Sequence, residues 1–171
     1  MLNQVDFMKF WIEVSTGDQA WTRKLISNPE QRRGLKAPAS TRHKNILMPV
    51  RAGDIVLSHL TVEGTRTKKW KGAIVGISSV EEECRINGNS LTVKLSDTKE
   101  LIVPIKFSEY KQDESFSKIF RKAISYKLQK YLIEITKDDF LKLMKTHTEN
   151  LIILEKTNFA EIFEEVEQNS T

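Results

Sequence analysis

One cysteine, Cys84, is all the chain has, so neither an internal disulfide nor a cysteine zinc cluster can form. The three histidines, His43, His59 and His147, stand far apart and make no ligand pattern. Its seven glycines are scattered, with no glycine-rich phosphate loop among them. H-E-x-x-H, C-x-x-C and G-x-S-x-G are all missing. Nothing argues for an enzyme: no catalytic residue, metal site or cofactor is expected. No apolar run approaches the roughly 18–20 residues of a membrane helix. The opening MLNQVDFMKF lacks a basic stretch followed by an apolar block, so no signal peptide is read. The expected location is the cytoplasm, with no membrane partner. There is no internal repeat and no low-complexity tract.

What is present suits one soluble domain, with or without a short appendage: 171 residues, 39% hydrophobic and 29% charged. The net charge of +4 hides an asymmetry. Residues 1–80 hold 13 Lys/Arg against 6 Asp/Glu, whereas residues 81–171 hold 14 against 17. A basic half favours a polyanionic partner, because neutralising phosphates releases counterions; a solvated surface is the plain alternative.

The first regular stretch is Phe7 to Val14. Met8, Phe10, Ile12 and Val14 share one face, with Phe7, Lys9, Trp11 and Glu13 on the other: a strand with one apolar side. Trp11, sharing its face with two charges, must be covered by another element or stay partly available. Asp18 then caps a helix from Gln19 to about Ser27 that carries Trp21 and Leu25 at i, i+4, and Asn28-Pro29 ends it. Glu30 to Asn45 lacks periodicity and reads as a basic, proline-marked loop. Arg51-Ala52-Gly53-Asp54 is a tight turn feeding a buried strand, Ile55 to Leu60. His59 in that strand is read as a core or site-edge histidine rather than a metal ligand.

Trp70 opens the next strand, and Gly76 in its middle suggests close approach of another backbone. Glu81-Glu82-Glu83 is read as a solvated face, and Cys84 as a small buried residue. Asn87-Gly88 is a hairpin signal. A polar turn, Ser96 to Lys99, is expected before a last strand from Glu100 to Phe107, where Pro104 marks an edge position. Five or six strands with such short connections imply a small curled sheet or barrel. A helix follows from Ser115 to Ile124; Leu132 to Ile135 is ambiguous. Thr136 to Asp139 is a capping box opening another helix. Asn158 to Val166 reads as a final acidic helix within an appendage, residues 157–171, that either docks or begins a linker.

Four segments in order resemble the PUA-like superfamily, in particular the EVE domain and its YTH relative. They are Phe10-Trp11-Ile12; Arg42-His43-Lys44-Asn45; the run Val50-Arg51-Ala52-Gly53-Asp54-Ile55-Val56-Leu57; and Gly72 to Val80, similar to an EVE "IVGI-x-x-V" strand. The resemblance spans about residues 7–146. It implies an α+β domain over residues 1–156: a twisted, partly closed β-barrel of five to six strands flanked by helices, with a pocket at one mouth. It also implies a nucleic-acid partner, DNA ahead of RNA, and a flipped base that is methylated or otherwise modified, methyladenine for YTH relatives. Related prokaryotic domains serve as specificity modules of modification-dependent restriction systems, which implies a fused or associated nuclease or NTPase. An RNA-binding protein and a small-ligand or modified-nucleoside enzyme on the same fold are the alternatives, with a protein-interaction role for the acidic helix a third.

By this resemblance the base pocket takes in Ser15, where YTH domains place polar base-contacting residues, and Leu35, the nearest counterpart of the YTH cage tryptophan. Asn45 and the remaining tryptophans complete it: Trp11, Trp21 (a position that looks structural in EVE domains) and Trp70, the leading candidate for stacking. Arg33, Lys36, Arg42, Lys44 and Lys69 are the expected phosphate contacts.

Overall fold

The computed structural model describes residues 7–15, 33–60, 72–124 and 132–155. The expected helix around Trp21, residues Lys69 and Trp70, and the appendage 157–171 lie outside the described residues.

Six described strands form one sheet: β1 Phe10–Ser15, β2 Gly34–Pro38, β3 Ile55–Leu60, β4 Ala73–Asn87, β5 Ser90–Lys106 and β6 Leu132–Ile135. Their order is β2-β5-β4-β3-β1-β6. Only β1 and β3 run parallel; every other pairing is antiparallel. The described helices are α1 Thr41–Leu47, α2 Glu114–Ile124, α3 Lys137–Lys145 and α4 Leu151–Glu155. This is the expected α+β architecture.

The alternation in β1 divides the core into two. Phe10 and Ile12 pack with Ile55, Leu57, Ile74, Ile105 and the apolar faces of α2 and α3, and Phe10 stacks on Phe140 at 4.5 Å. Trp11 faces the other way, into a cluster with Leu35, Ala37, Leu47, Val50, Val56, Val80, Leu91, Val93, Leu95 and Leu132. That second cluster joins β2 to β6, the two edges of the sheet. Among the described residues no hydrogen-bonded pairing links those edges; Leu47 and Val50, at and after the end of α1, fill the gap. The sheet is therefore a curled, incompletely closed barrel.

Two expectations change here. The loop expected over 30–45 contains a strand and a helix, because Leu35 and Ala37 alternate inward between exposed Lys36 and Pro38, and the Ser40 hydroxyl caps α1 by accepting from the His43 N–H. The turn expected at Ser96–Lys99 is absent as well. β5 runs unbroken through it, and register shifts against β4 near Gly76, Ser79 and Glu82 absorb the irregularity. Among the described strands β5 has only β4 beside it at Pro104, since β2 covers just Ser90–Lys94. Beside it, the buried Asn150 carboxamide stands in for a missing strand: its Nδ2 donates to the Val103 carbonyl at 2.8 Å and its Oδ1 accepts from the Val103 N–H at 2.9 Å. The Thr136–Asp139 capping box at α3 forms in both directions.

The Arg51–Asp54 turn locks the barrel to β1. Gly53 adopts φ 92°, a conformation other residues reach only with strain. Asp54, 2% exposed, accepts from the Arg51 N–H at 2.9 Å, the Lys9 N–H at 3.1 Å and the Trp11 indole N–H at 2.9 Å. Three donors on one buried carboxylate hold both the turn and the tryptophan ring.

Candidate functional site

The inner face of the sheet changes chemistry along its length. Its first half is the apolar cluster around Trp11. Toward the C-terminal ends of β1 and β3 the same face carries Glu13, Ser15 and Ser58, with Ser78 level with Trp11 at the border, all at most 1% exposed. Register places them together: Glu13 lies beside Ser58, Ser58 beside Gly76, and Ser78 beside Val56. The Ser15 hydroxyl donates to Glu13 Oε1 at 2.7 Å, and the Ser78 and Thr98 hydroxyls are 2.8 Å apart. Leu60, Ala73 and Val75 form a separate small apolar cluster at this end. A buried carboxylate with hydroxyls beside an apolar triplet is unlike a packing core, because burying polar groups costs free energy unless each finds a partner.

Three chain segments enter or leave the sheet at this end: 16–32 after Ser15, 61–71 between Leu60 and Gly72, and 125–131 just before Leu132, which pairs with Glu13. Their sequences hold Arg23, Lys24, Arg32, Arg66, Lys68, Lys69, Lys71, Lys127 and Lys130 against Asp18, Glu30 and Glu63. They also hold Trp21, Trp70, Tyr126 and Tyr131.

The expected site residues separate on this map. Ser15 lies in the polar cluster. Trp11, 5% exposed with its indole N–H spent on Asp54, and Leu35, 1% exposed on β2 beside β5, pack in the apolar cluster. Asn45 is exposed on α1. Arg33, Lys36, Arg42 and Lys44 are also exposed, but not around Ser15. β2 pairs with the Ser90–Lys94 part of β5, toward the hairpin tip, while Ser15 lies level with Leu60 and Ala73 at the other end of β4. Glu13, Ser58, Ser78 and Thr98 were not singled out from sequence. The signal available was the alternation that puts Glu13 two residues from Trp11 on one face.

Elsewhere, His59 is buried and burial pushes its pKa down to about 4, opposed by a hydrogen bond with the Gly72 backbone. It projects with Val14 and Ile74 into the outer core, as expected of a core histidine. Among the described residues no three His, Cys, Asp or Glu side chains are placed to hold a metal. Glu81, Glu82 and Glu83 make solvent-exposed ion pairs with Lys94, Arg85 and Arg51, the solvated face expected. Cys84 is only half-buried against the inner cluster, and burial raises its thiol pKa. A groove between α2 and α3, lined by Phe116, Lys137, Leu141, Lys142 and Lys145, lies on the outer layer, across the sheet from Glu13.

No family model matches the chain, and no curated protein does. Solved structures do. Human THYN1 protein, in complex with 5-methylcytosine-containing DNA, superposes with a TM-score of 0.56 at 11% identity, over 81% of this chain and 96% of that one. The DUF55 domain of human thymocyte nuclear protein 1 gives 0.56 at 11%, over 80% and 97%. The chain shares the fold of these two structures, in line with the resemblance read from its sequence. The N-terminal domain of Staphylothermus marinus McrB matches at 0.51 and 11% identity, over 86% of this chain and 98% of that one. At such identities the fold is shared while side chains are free to differ.

Proposed function

We propose that this EVE-type domain is a DNA reader without catalytic activity, which holds one modified base at the polar end of its inner face. The observation that carries the reading is the buried Glu13–Ser15 pair beside Leu60, Ala73 and Val75. A base taken out of its stack must be met on its Watson–Crick edge by hydrogen-bonding groups. A carboxylate accepts from the exocyclic amine of cytosine, and the hydroxyls of Ser15 and Ser58 can donate or accept. The apolar triplet suits a methyl group. Likeness to a structure holding 5-methylcytosine DNA supports that base ahead of methyladenine. Trp70, and after it Trp21, lies in a segment that departs from this end and is the candidate stacking partner, with Lys69 among the flanking cations. Stacking on an aromatic side chain is worth about 1–3 kcal/mol per base. Likeness to the N-terminal domain of McrB is in keeping with a specificity module in a modification-dependent restriction or defence protein, working beside a nuclease or NTPase.

The test is equilibrium binding of Glu13→Gln and Trp70→Ala to duplexes that carry 5-methylcytosine, 6-methyladenine or no modification. Each variant is expected to lose about tenfold or more on the preferred modified duplex, which is about 1.4 kcal/mol or more of binding free energy. Trp70→Ala should leave the melting temperature unchanged. Unaltered affinity in both variants, or a Trp70→Ala protein that melts early and binds normally, would remove the proposed pocket.

A further inference from the structure

At the end of the molecule opposite Glu13, four elements gather cations. Residues 33–53 contain Arg33, Lys36, Arg42, Lys44 and Arg51 and no Asp or Glu; residues 84–93 contain Arg85 and again none. The structure brings these two stretches together. β2 pairs with β5 next to the β4–β5 turn, and the Ala39 N–H donates to the Asn89 carbonyl at 2.9 Å, so α1 begins against the hairpin tip. Lys36, Arg42 and Lys44 are exposed, and the Arg85 side chain is 74% exposed. Glu82 makes an exposed ion pair with Arg85 at 3.2 Å, and Glu83 one with Arg51 at 3.7 Å. Such pairs are worth little and yield readily to another anion.

Two large apolar side chains stand out in the same area, Ile86 at 58% and Met48 at 46% exposure. Ile86 faces Leu91 across the hairpin, on the inner side of the sheet but past the end of the core. The tip is also rigidly built, with Gly88 at φ 61° in the turn and Asn87 paired with Ser90. Rigid, cationic and carrying an isolated exposed apolar residue, it matches the requirements of a phosphate-contacting element with one side chain in a groove.

We infer that this hairpin tip, with β2 and α1, is a second DNA contact that grips duplex flanking the read base. The inference rests on the DNA-reader proposal for its partner, but the surface itself is independent of the polar end. From Gly76 beside Ser58 to Asn87 at the tip β4 spans eleven residues, up to about 35 Å of strand at about 3.3 Å each. That corresponds to about ten base pairs at 3.4 Å each. Lys36, Arg42, Lys44 and Arg85 neutralise phosphates one helical turn from the base, and Ile86 lies against the groove wall.

The experiment compares duplexes of about 8 and about 24 base pairs, each centred on one 5-methylcytosine, in an anisotropy titration at several salt concentrations. The probes are wild type, Lys44→Ala with Arg85→Ala, and Ile86→Ser, all exposed positions whose melting temperatures serve as the folding control. On the long duplex the double variant is expected to lose about tenfold, and its salt slope to fall by roughly two, one unit for each phosphate contact removed. On the short duplex it should lose less than about twofold, because that duplex does not reach the tip. Ile86→Ser should lose a few-fold on the long duplex with the salt slope unchanged. Equal losses on both lengths, or none on the long one, would overturn the second contact while leaving the reader proposal in place. If modified and plain DNA bind alike but the length dependence persists, the tip stands and the reader does not.

Discussion

Trp11, Glu13 and Ser15 stand on one face of one strand, each about 7 Å from the next, yet they belong to two different regions. At Trp11 the inner face is filled: β2, α1 and the β4–β5 hairpin press eleven apolar side chains together, and the one polar atom of the indole is spent on Asp54. Two residues on it carries a carboxylate, and four residues on a hydroxyl. What differs is the kind of complementarity. The apolar end is closed by aliphatic and aromatic packing, whereas the polar end buries hydrogen-bonding groups, the kind that the reader proposal needs to tell one base edge from another. An aromatic residue in the first place is thus a packing element, and under the reader proposal a carboxylate in the second is a recognition element, although nothing in their spacing separates them.

Substitutions ought to divide along the same line. Asp54→Ala should have the largest effect, a loss of about 3–5 kcal/mol in denaturant unfolding, because three buried N–H donors lose their acceptor. A loss below about 1 kcal/mol would mean that the turn does not hold Trp11. Leu35→Ala should cost about 2–5 kcal/mol of stability and leave DNA affinity intact per folded molecule. Lost affinity at unchanged stability would return Leu35 to the pocket.

The third prediction concerns pH. His59 is neutral in the folded protein with its pKa lowered from 6.5 to about 4, so the unfolded chain takes up its proton first as pH falls. The stability it contributes is therefore complete above pH 6.5, declines between 6.5 and 4, and is fully lost below 4. The span is at most roughly 3 kcal/mol, and a His59→Gln variant should show a flatter profile over that window. Asn150→Ala, which strips Val103 of both its partners, should cost about 2 kcal/mol with no effect on binding. The smallest stability change is expected at the polar end: about 1 kcal/mol for Ser15→Ala, accompanied by a fall in affinity for modified DNA.

Much of the fold was legible because local rules agreed with it. The alternation of β1, the Arg51–Asp54 turn, the Asn87-Gly88 hairpin, the edge position of Pro104 and the capping box before α3 each have a short-range cause that the structure shows at work. What stayed hidden depends on distant partners. β2 has only Leu35 and Ala37 to announce it, too few for a periodic signal, and takes its form from pairing with β5. Ser96 to Lys99 has turn composition but lies along β4, where bulges accommodate it. Asn150 acts as a strand substitute only because Val103 is left unpaired beside it. The site was half legible. Ser15 follows the first strand visibly, but Ser58 and Ser78 sit in runs dominated by apolar neighbours, and only strand pairing sets Ser58 beside Glu13 and Ser78 beside Val56. The cations at Arg33 to Lys44 were visible as a group, while their distance from Ser15 follows from a strand order that composition does not encode.

One titration bears most directly on the reader account: wild-type protein against matched duplexes with and without a single 5-methylcytosine, at two salt concentrations. The account predicts at least about tenfold tighter binding of the modified duplex, both affinities weakening with salt, and a ratio that salt leaves nearly constant, since phosphates supply the grip and the base supplies the choice. Equal affinity for the two duplexes, or binding indifferent to salt, would contradict it.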